Sequence, residues 1–270
     1  METAKEYLFA ALGGNLNTKS LTLRFWHEVM ENYAKYYHKE NSSKCQMQTR
    51  VMPRPKCLDL FCGQGGAGFG YYKAGFDVTG VDVLQQDKYP FEFHKSDALE
   101  FLKNNADKYD FIHGSPPCQG YSHLTPKDHK HKYDKLIYDL RILLIETGKP
   151  YCIENVAGAK SELKNPKMLC GSMFGLRTQR HRFFETSFVL NVESMKCNHF
   201  EIPLLVTTAS KASRELRKRV GMQPKTVKNA PLAYGIDWMD FNGLKESIPP
   251  AYTEFIGLQL RILLLTHRAA

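Results

Sequence analysis

Two stretches of this chain combine residue types that can do chemistry. In Tyr109-Asp-Phe-Ile-His-Gly-Ser-Pro-Pro-Cys-Gln-Gly-Tyr-Ser122 the apolar run Phe111-Ile112 breaks into Gly-Ser-Pro-Pro. That pattern predicts a buried strand ending in a rigid turn that delivers the thiol of Cys118. Pro116 and Pro117 fix their own φ angles, and Pro117 restricts the residue before it, so little backbone freedom remains ahead of the sulfur. A positioned nucleophile suits this turn, and so does a small buried cysteine in a tight loop; the stretch alone leaves the two about even. The other stretch, Asp59-Leu-Phe-Cys-Gly-Gln-Gly-Gly66, joins a strand to a helix through three glycines. Glycine lets backbone approach a ligand closely, and a helix N-terminus offers free amides. Phosphate, dinucleotide and sulfonium-nucleoside sites all use such a turn. Asp82, closing the next strand, sharpens the reading, because an acid there suits a ribose diol. The turn is not in the usual Gly-x-Gly-x-x-Gly register and no phosphate-binding lysine follows, so a methyl-donor nucleoside fits better than a dinucleotide.

These residues need elements to hold them. Strands are predicted at Cys57-Leu-Asp-Leu-Phe61, Phe76 to Val81, Asp110 to His113 and Tyr151-Cys-Ile-Glu-Asn-Val156. Helices are predicted at Gly65 to Ala74, Ala98 to Asn104 and Asp134 to Thr147, the last closed by Gly148. Strand and helix in alternation mean a mostly parallel sheet with helices on both faces, whose sites lie at the carboxyl ends of the strands. An apolar helix is predicted from Tyr252 to Leu265.

At 270 residues with 43% apolar composition the chain can bury a large core without covalent staples. Seven scattered cysteines with no Cys-x-x-Cys pair argue for reduced thiols in a cytoplasmic or nuclear setting. Cys197-Asn-His199 reads as half a metal site lacking its other ligands, and His123, His129 and His131 fall in a lysine-rich stretch, so no metal is expected. The N-terminus has no signal-peptide progression and no apolar run approaches membrane-spanning length. A net charge of +9 attracts polyanions, nucleic acid foremost.

Residues 1–55 read as an N-terminal helical extension and linker. From the N-cap Ser20, Trp26, Val29, Met30, Tyr33, Tyr36 and Tyr37 make an aromatic stripe for packing on the main domain. Residues 56–188 form the cofactor-binding and catalytic core. Residues 189–232 carry Lys211, Arg214, Arg217, Lys218, Arg219, Lys225 and Lys228 with little periodicity, as a solvated loop or a backbone-contacting arm would. Residues 233–270 complete the core.

Phe61-Cys-Gly-Gln-Gly-Gly66, Pro116-Pro-Cys-Gln119, Glu154-Asn-Val156 and Arg180-His-Arg182 occur in the order and context of the cytosine-C5 DNA methyltransferases, which this chain resembles over residues 57–183 and more loosely 233–265. It is most similar to short phage-type members, with endings like Gly235-Ile-Asp-Trp-Met and Ile248-Pro-Pro-Ala-Tyr-Thr-Glu-Phe-Ile-Gly257. The resemblance implies a Rossmann-like, S-adenosylmethionine-dependent fold and a small basic appendage. It implies that Cys118 adds to C6 of cytosine, that Glu154 acts as the acid at N3 with a raised pKa, and that Asn155 supports that carboxyl and its loop. Arg182 would contact the ring carbonyl O2, with Arg180 beside it. For the cofactor it implies Asp59, Phe61, Gly63, Gly65, Gly66 and Pro116 around the nucleoside, Asp82 at the ribose and Asp97 at the adenine amino group. The polar, basic stretch from Gly120 to Lys132 would be a lid closing on a phosphate backbone. The implied partner is duplex DNA with a flipped cytosine, bound by a monomer, with no membrane and no metal.

Three features depart from that pattern. Thr178 stands where the family has glutamine, with Gln179 one place late. Pro249-Pro-Ala-Tyr-Thr253 replaces a Gly-Asn. The segment between Arg182 and Ile236 is far shorter than a usual target-recognition domain. RNA is therefore the nearest alternative substrate, because only groove or single-strand contacts would differ. A free cytosine nucleotide, a transferred group other than methyl, and a catalytically silent nucleic-acid-binding protein on the same scaffold are the others.

Overall fold

The computed structural model describes His27, Glu31 and residues 54–122, 125, 128–129, 133–193, 195–199 and 233–268, with side chains up to residue 264. The main elements in chain order are β1 (Lys56–Leu60), α1 (Gly66–Lys73), β2 (Asp77–Asp82), β3 (Glu92–Lys95), α2 (Ala98–Asn105) and β4 (Phe111–Gly114). They continue with α3 (Ile137–Glu146), β5 (Tyr151–Asn155), β6 (Lys167–Leu169), β7 (Arg182–Thr186), α4 (Phe241–Glu246) and α5 (Pro250–Arg268). The seven strands form one sheet in the order β3-β2-β1-β4-β5-β7-β6.

The apolar runs of β1, β4 and β5 form central strands because both their faces are covered. Cys57 packs with Phe111, Cys152 and Phe184 in one core, together with Tyr71 of α1 and Tyr252, Phe255 and Ile256 of α5. Its neighbour Leu58 points into a second core with Ile112 and Ile153, closed by Leu102 of α2 and Leu140 and Leu144 of α3. α5 lies directly on α1. A Cβ on Gly70 would collide with the Pro250 carbonyl and Thr253 Oγ1, so only glycine permits the approach. Thr253 Oγ1 donates to the Ala67 carbonyl at 2.8 Å across the same seam.

β1 to β5 run parallel, whereas β7 is antiparallel to both β5 and β6. β3, β6 and the antiparallel end of the sheet were not expected from the sequence. The reversal has a structural consequence. Asn155 pairs with Phe183, so the first residue of β7, Arg182, lies at the carboxyl end of β5. A parallel strand would have begun at the opposite edge.

Of the N-terminal segment only His27 and Glu31 are described, both helical, and His27 Nε2 lies 2.8 Å from Glu254 of α5. The expected aromatic stripe, the basic stretch 200–232 and most of the stretch 123–132 lie outside the described residues. Among the described residues, no helix is long and apolar enough to cross a membrane.

One buried ion pair ties α3 to β7. Arg141 Nε and Nη2 donate to the two carboxylate oxygens of Glu185, each at 2.7 Å. Glu185 also accepts from Tyr151 Oη and the Lys164 N–H. Glu185→Ala would leave a buried guanidinium uncompensated and is expected to cost on the order of 3–5 kcal/mol in urea unfolding, whereas replacing both partners with apolar residues should recover much of that.

Asp59 generates a second expectation. It is fully buried on β1, and burial pushes its carboxyl up to about 8 against the pull of hydrogen bonds from Tyr89 Oη and the Gly68 N–H. The folded protein thus keeps a proton that the unfolded chain releases. The stability linked to this group is complete below about pH 4 and lost as the pH rises toward 8. Unfolding of the ligand-free protein at a series of pH values should show that decline, and Asp59→Asn should remove it.

Candidate active site

At the end of β1 the backbone takes left-handed conformations at Phe61 (φ 57°) and Gly63 (φ 49°). Such a φ is uncommon for a phenylalanine and costs strain that the surroundings must hold. They hold it from two sides. Asp82 Oδ2 accepts the Gly63 N–H at 3.0 Å, while its Oδ1 accepts the Leu84 N–H at 2.9 Å. On the other side Trp238 Nε1 donates to the Gln64 carbonyl at 2.9 Å, and Gln64 Nε2 donates to Asp240 Oδ2 at 3.0 Å. The Asp240 N–H returns a bond to Gln64 Oε1, so the 238–240 segment clasps the turn.

The turn after β4 is fixed just as closely. The Ser115 N–H donates to the Leu60 carbonyl, and Asn155 Nδ2 donates to the Pro116 carbonyl at 2.9 Å. The Tyr121 and Ser122 N–H groups both donate to the Cys118 carbonyl, at 3.0 and 2.8 Å. Behind this turn Tyr71 Oη lies 3.0 Å from His113 Nδ1, and His113 Nε2 lies 2.8 Å from Ser115 Oγ. Burial lowers His113 to about 3, so the imidazole is a neutral relay of hydrogen bonds.

Glu154 and Arg182 meet at the end of β5, with Arg182 Nε 2.9 Å from Glu154 Oε1. The angle is poor for a hydrogen bond, and Oε1 is left without an aligned donor although buried. Burial raises the Glu154 carboxyl, against the lowering effect of Arg182, Arg180 and a hydrogen bond from Ser115. Burial and the neighbouring Arg180 lower Arg182 to about 10. The Cys118 thiol is raised by burial and by Glu154, with Arg182 and Arg180 pulling it down. Arg180 is anchored by its Nη2 donating to the Lys245 carbonyl at 2.5 Å and by Tyr252 Oη donating to the Arg180 carbonyl at 2.6 Å.

A cavity of about 570 Å³ opens between these parts, lined by Asp59, Phe61, Gly63, Gly66, Asp82, Pro116, Cys118, Glu154, Arg180 and Arg182. Gly65 and Asn155 are outside the lining but bonded to it, the Gly65 N–H donating to the Cys62 carbonyl and Asn155 Nδ2 to the Pro116 carbonyl. Asp97 is placed elsewhere: it is the N-cap of α2, and its Oδ1 accepts the Leu99 and Glu100 N–H groups. Sequence reasoning did not single out Gln64, Lys245 and Ser247, which also line the cavity, nor the Trp238–Asp240 clasp. The Gly-Ile-Asp-Trp-Met run was visible as a motif, but nothing local pairs it with Gln64, 176 residues from Asp240. The Cys197–His199 pair was expected to lack further ligands, and that expectation is corrected: Cys170 and His181 stand beside it.

Residues 55–169 match the family described as C-5 cytosine-specific DNA methylase. The chain is 28% identical over 177 residues to the type II methyltransferase M.FnuDI of Fusobacterium nucleatum, across 55% of this chain and 50% of that protein. To M.XorII of Xanthomonas oryzae pv. oryzae it is 27% identical over 124 residues, 40% of this chain and 29% of the relative. The chain thus spans half or less of the length of these relatives. In fold it is similar to a protein described as a DNA modification methyltransferase encoded within an E. coli prophage (TM-score 0.54, 16% identity), over 78% of this chain and 99% of that one. It is also similar to the methyltransferase EhMeth of Entamoeba histolytica (TM-score 0.51, 14% identity, 78% and 99% covered). Over residues 55–169, on this seven-stranded Rossmann-like sheet, the chain is thus similar to the C-5 cytosine-specific DNA methylases.

Proposed function

We propose that the protein transfers a methyl group from S-adenosylmethionine to C5 of cytosine in DNA, through a transient bond between Cys118 Sγ and C6 of the ring. One observation carries this reading: a single cavity has the glycine turn and Asp82 on one wall and Cys118, Glu154 and Arg182 on the other. The cofactor wall fits a nucleoside. Asp59 Oδ1 is buried there without a hydrogen-bond partner, the Asp82 carboxylate stands at the strand end, and the space beyond Gly63 is open. Phe61, Gly63, Gly65, Gly66 and Pro116 would frame the nucleoside, with Asp82 at the ribose. The net charge of +9 favours a phosphate-bearing partner. Duplex DNA with the target cytosine turned out of the stack is that partner, because the ring atoms are otherwise unreachable. Residues 189–232 would contact the duplex, with 56–188 and 233–270 forming the catalytic core of an intracellular monomer.

The chemistry follows from the residues. C5 of cytosine is a weak nucleophile until a thiolate adds at C6. Cys118 supplies the thiolate, the new S–C6 bond pushes electron density into the ring, and Glu154 delivers its proton to N3, leaving a neutral enamine. Arg182 holds the carbonyl O2 and stabilises charge developing there. S-adenosylmethionine, when bound, supplies an electrophilic methyl group on a sulfonium. Loss of the C5 proton to a base, with return of the N3 proton to the Glu154 carboxylate, then expels the Cys118 thiolate and restores the neutral aromatic ring. A protonated Glu154 would serve twice: burial is the main cause that holds the Cys118 thiol up, and a neutral carboxyl would remove the further upward push of the Glu154 charge.

The test is incubation with labelled S-adenosylmethionine and, separately, duplex DNA, single-stranded DNA, RNA and dCMP, followed by nucleoside mass analysis. The expected product is 5-methylcytosine in duplex DNA; product confined to RNA or dCMP would replace the substrate. DNA carrying 5-fluorocytosine should trap the protein in an adduct that survives denaturing electrophoresis, and Cys118→Ala should abolish both adduct and transfer while retaining cofactor binding. Methylated DNA without a trapped adduct would rule Cys118 out as the nucleophile.

Asp82→Ala should weaken S-adenosylmethionine binding on the order of 10- to 100-fold by calorimetry, the scale of a lost hydrogen bond to a charged group. Unchanged affinity would remove Asp82 from the binding site.

A further inference from the structure

Outside the cavity, four metal-binding side chains converge on one point. Cys170 precedes the short helical turn Gly171–Phe174, His181 sits immediately before β7, and Cys197 and His199 come from the 195–199 segment. All four ligand atoms lie within 4.8 Å of one another. We infer that Cys170, His181, Cys197 and His199 form a structural zinc site of the Cys2His2 type, closed by four protein ligands.

The distances fit. Zinc bonds of about 2.3 Å to sulfur and 2.0–2.1 Å to nitrogen, at tetrahedral angles, put two nitrogens roughly 3.3 Å apart and nitrogen and sulfur roughly 3.6 Å apart. His181 Nε2 and His199 Nε2 are 3.2 Å apart, Cys170 Sγ and His199 Nε2 3.4 Å, and His181 Nε2 and Cys197 Sγ 3.3 Å. Cys197 Sγ and His199 Nε2, at 2.5 Å, are the one pair that an ion between them would part. The surroundings are also those of ligands held for a metal. Ser172 Oγ lies 3.3 Å from Cys170 Sγ and 3.7 Å from Cys197 Sγ, and a hydroxyl in that position stabilises thiolate character. The Asn198 N–H donates to that same Ser172 Oγ at 3.2 Å, and Gln179 Nε2 donates to the His199 carbonyl at 3.3 Å, fixing the 195–199 segment.

Chemistry selects the ion. Two thiolates and two neutral imidazoles balance a divalent cation, and a tetrahedral set of two sulfurs and two nitrogens suits zinc. With four protein ligands there is no open position, so the role is to fasten rather than to catalyse. The fastened point is His181, between Arg180 and Arg182. The site is independent of the proposed methyl transfer and stands or falls without it.

Metal analysis of the full chain, purified without chelator from zinc-supplemented culture, should find about one zinc per chain. Cobalt(II) exchanged into the protein should show sulfur-to-metal charge-transfer absorption and the intense d–d bands of a tetrahedral site. Cys197→Ser and His181→Ala should each lose most of the zinc, whereas Cys118→Ala should keep it. Should either variant fail to fold, the wild-type zinc content and the cobalt spectrum decide alone. Wild-type protein with less than about a tenth of an equivalent of zinc and no cobalt charge-transfer band, or a Cys170–Cys197 disulfide in the protein as isolated, would overturn the inference.

Discussion

Arg182 and Glu154, 2.9 Å apart and both largely out of water, are the contact on which the site depends. Burying an ion pair is costly, and only good geometry and further hydrogen bonds offset the lost hydration. Here the geometry is incomplete, and each partner is pushed toward its neutral form, Glu154 upward and Arg182 downward. The pair therefore survives only because the backbone beneath it is held in place. The antiparallel pairing of β5 with β7 supplies that support, and the Arg141–Glu185 pair reinforces it further along β7. Such a pair disposes the Glu154 carboxyl to hold a proton beside the guanidinium.

Long-range contacts surround this centre. The glycine turn is local in sequence, yet the groups that hold it come from Asp82 on the next strand and from Trp238 and Asp240 far along the chain. Cys118 stands on a turn whose carbonyl at Pro116 is held by Asn155. In each case a short motif sets a backbone shape and a distant side chain locks it.

That division explains what could be read from the sequence. β1, β4 and β5 were legible because buried parallel strands carry short apolar runs, β2 because Val78 and Val81 recur between turn residues, and the helices that cover them carry apolar faces. β3 was not, because Glu92, Phe93, His94 and Lys95 at the sheet edge are only partly covered and show no clean alternation. β6 is three residues long, too short to carry a period. β7 begins at Arg182, the end of the Arg-His-Arg motif, but its direction is set by which strand it pairs with. The candidate site was legible wherever a motif follows a strand: Cys118, Glu154, Asp82 and the glycine turn all line the one cavity. The cluster around Cys197 was not, because Cys170 and His181 are individually ordinary residues that only the fold brings together. Asp97 shows the converse: its helix-capping role leaves it outside the cavity lining.

The seam between α1 and α5 bears on how the chain can be made. Tyr71 and Phe76 share their core with Tyr252, Phe255 and Ile256, and Gly70 is shaped to receive the Pro250–Thr253 backbone. On a ribosome, α1 emerges with the first two strands, whereas α5 follows only after β7 and the long stretch beyond it. Throughout that interval α1 lacks its helical partner on that face of the sheet, and an apolar patch waits for its cover. The pause in translation most tolerable to this protein is thus one that falls after α5 has cleared the exit tunnel, and the most hazardous is one that falls between β7 and α5.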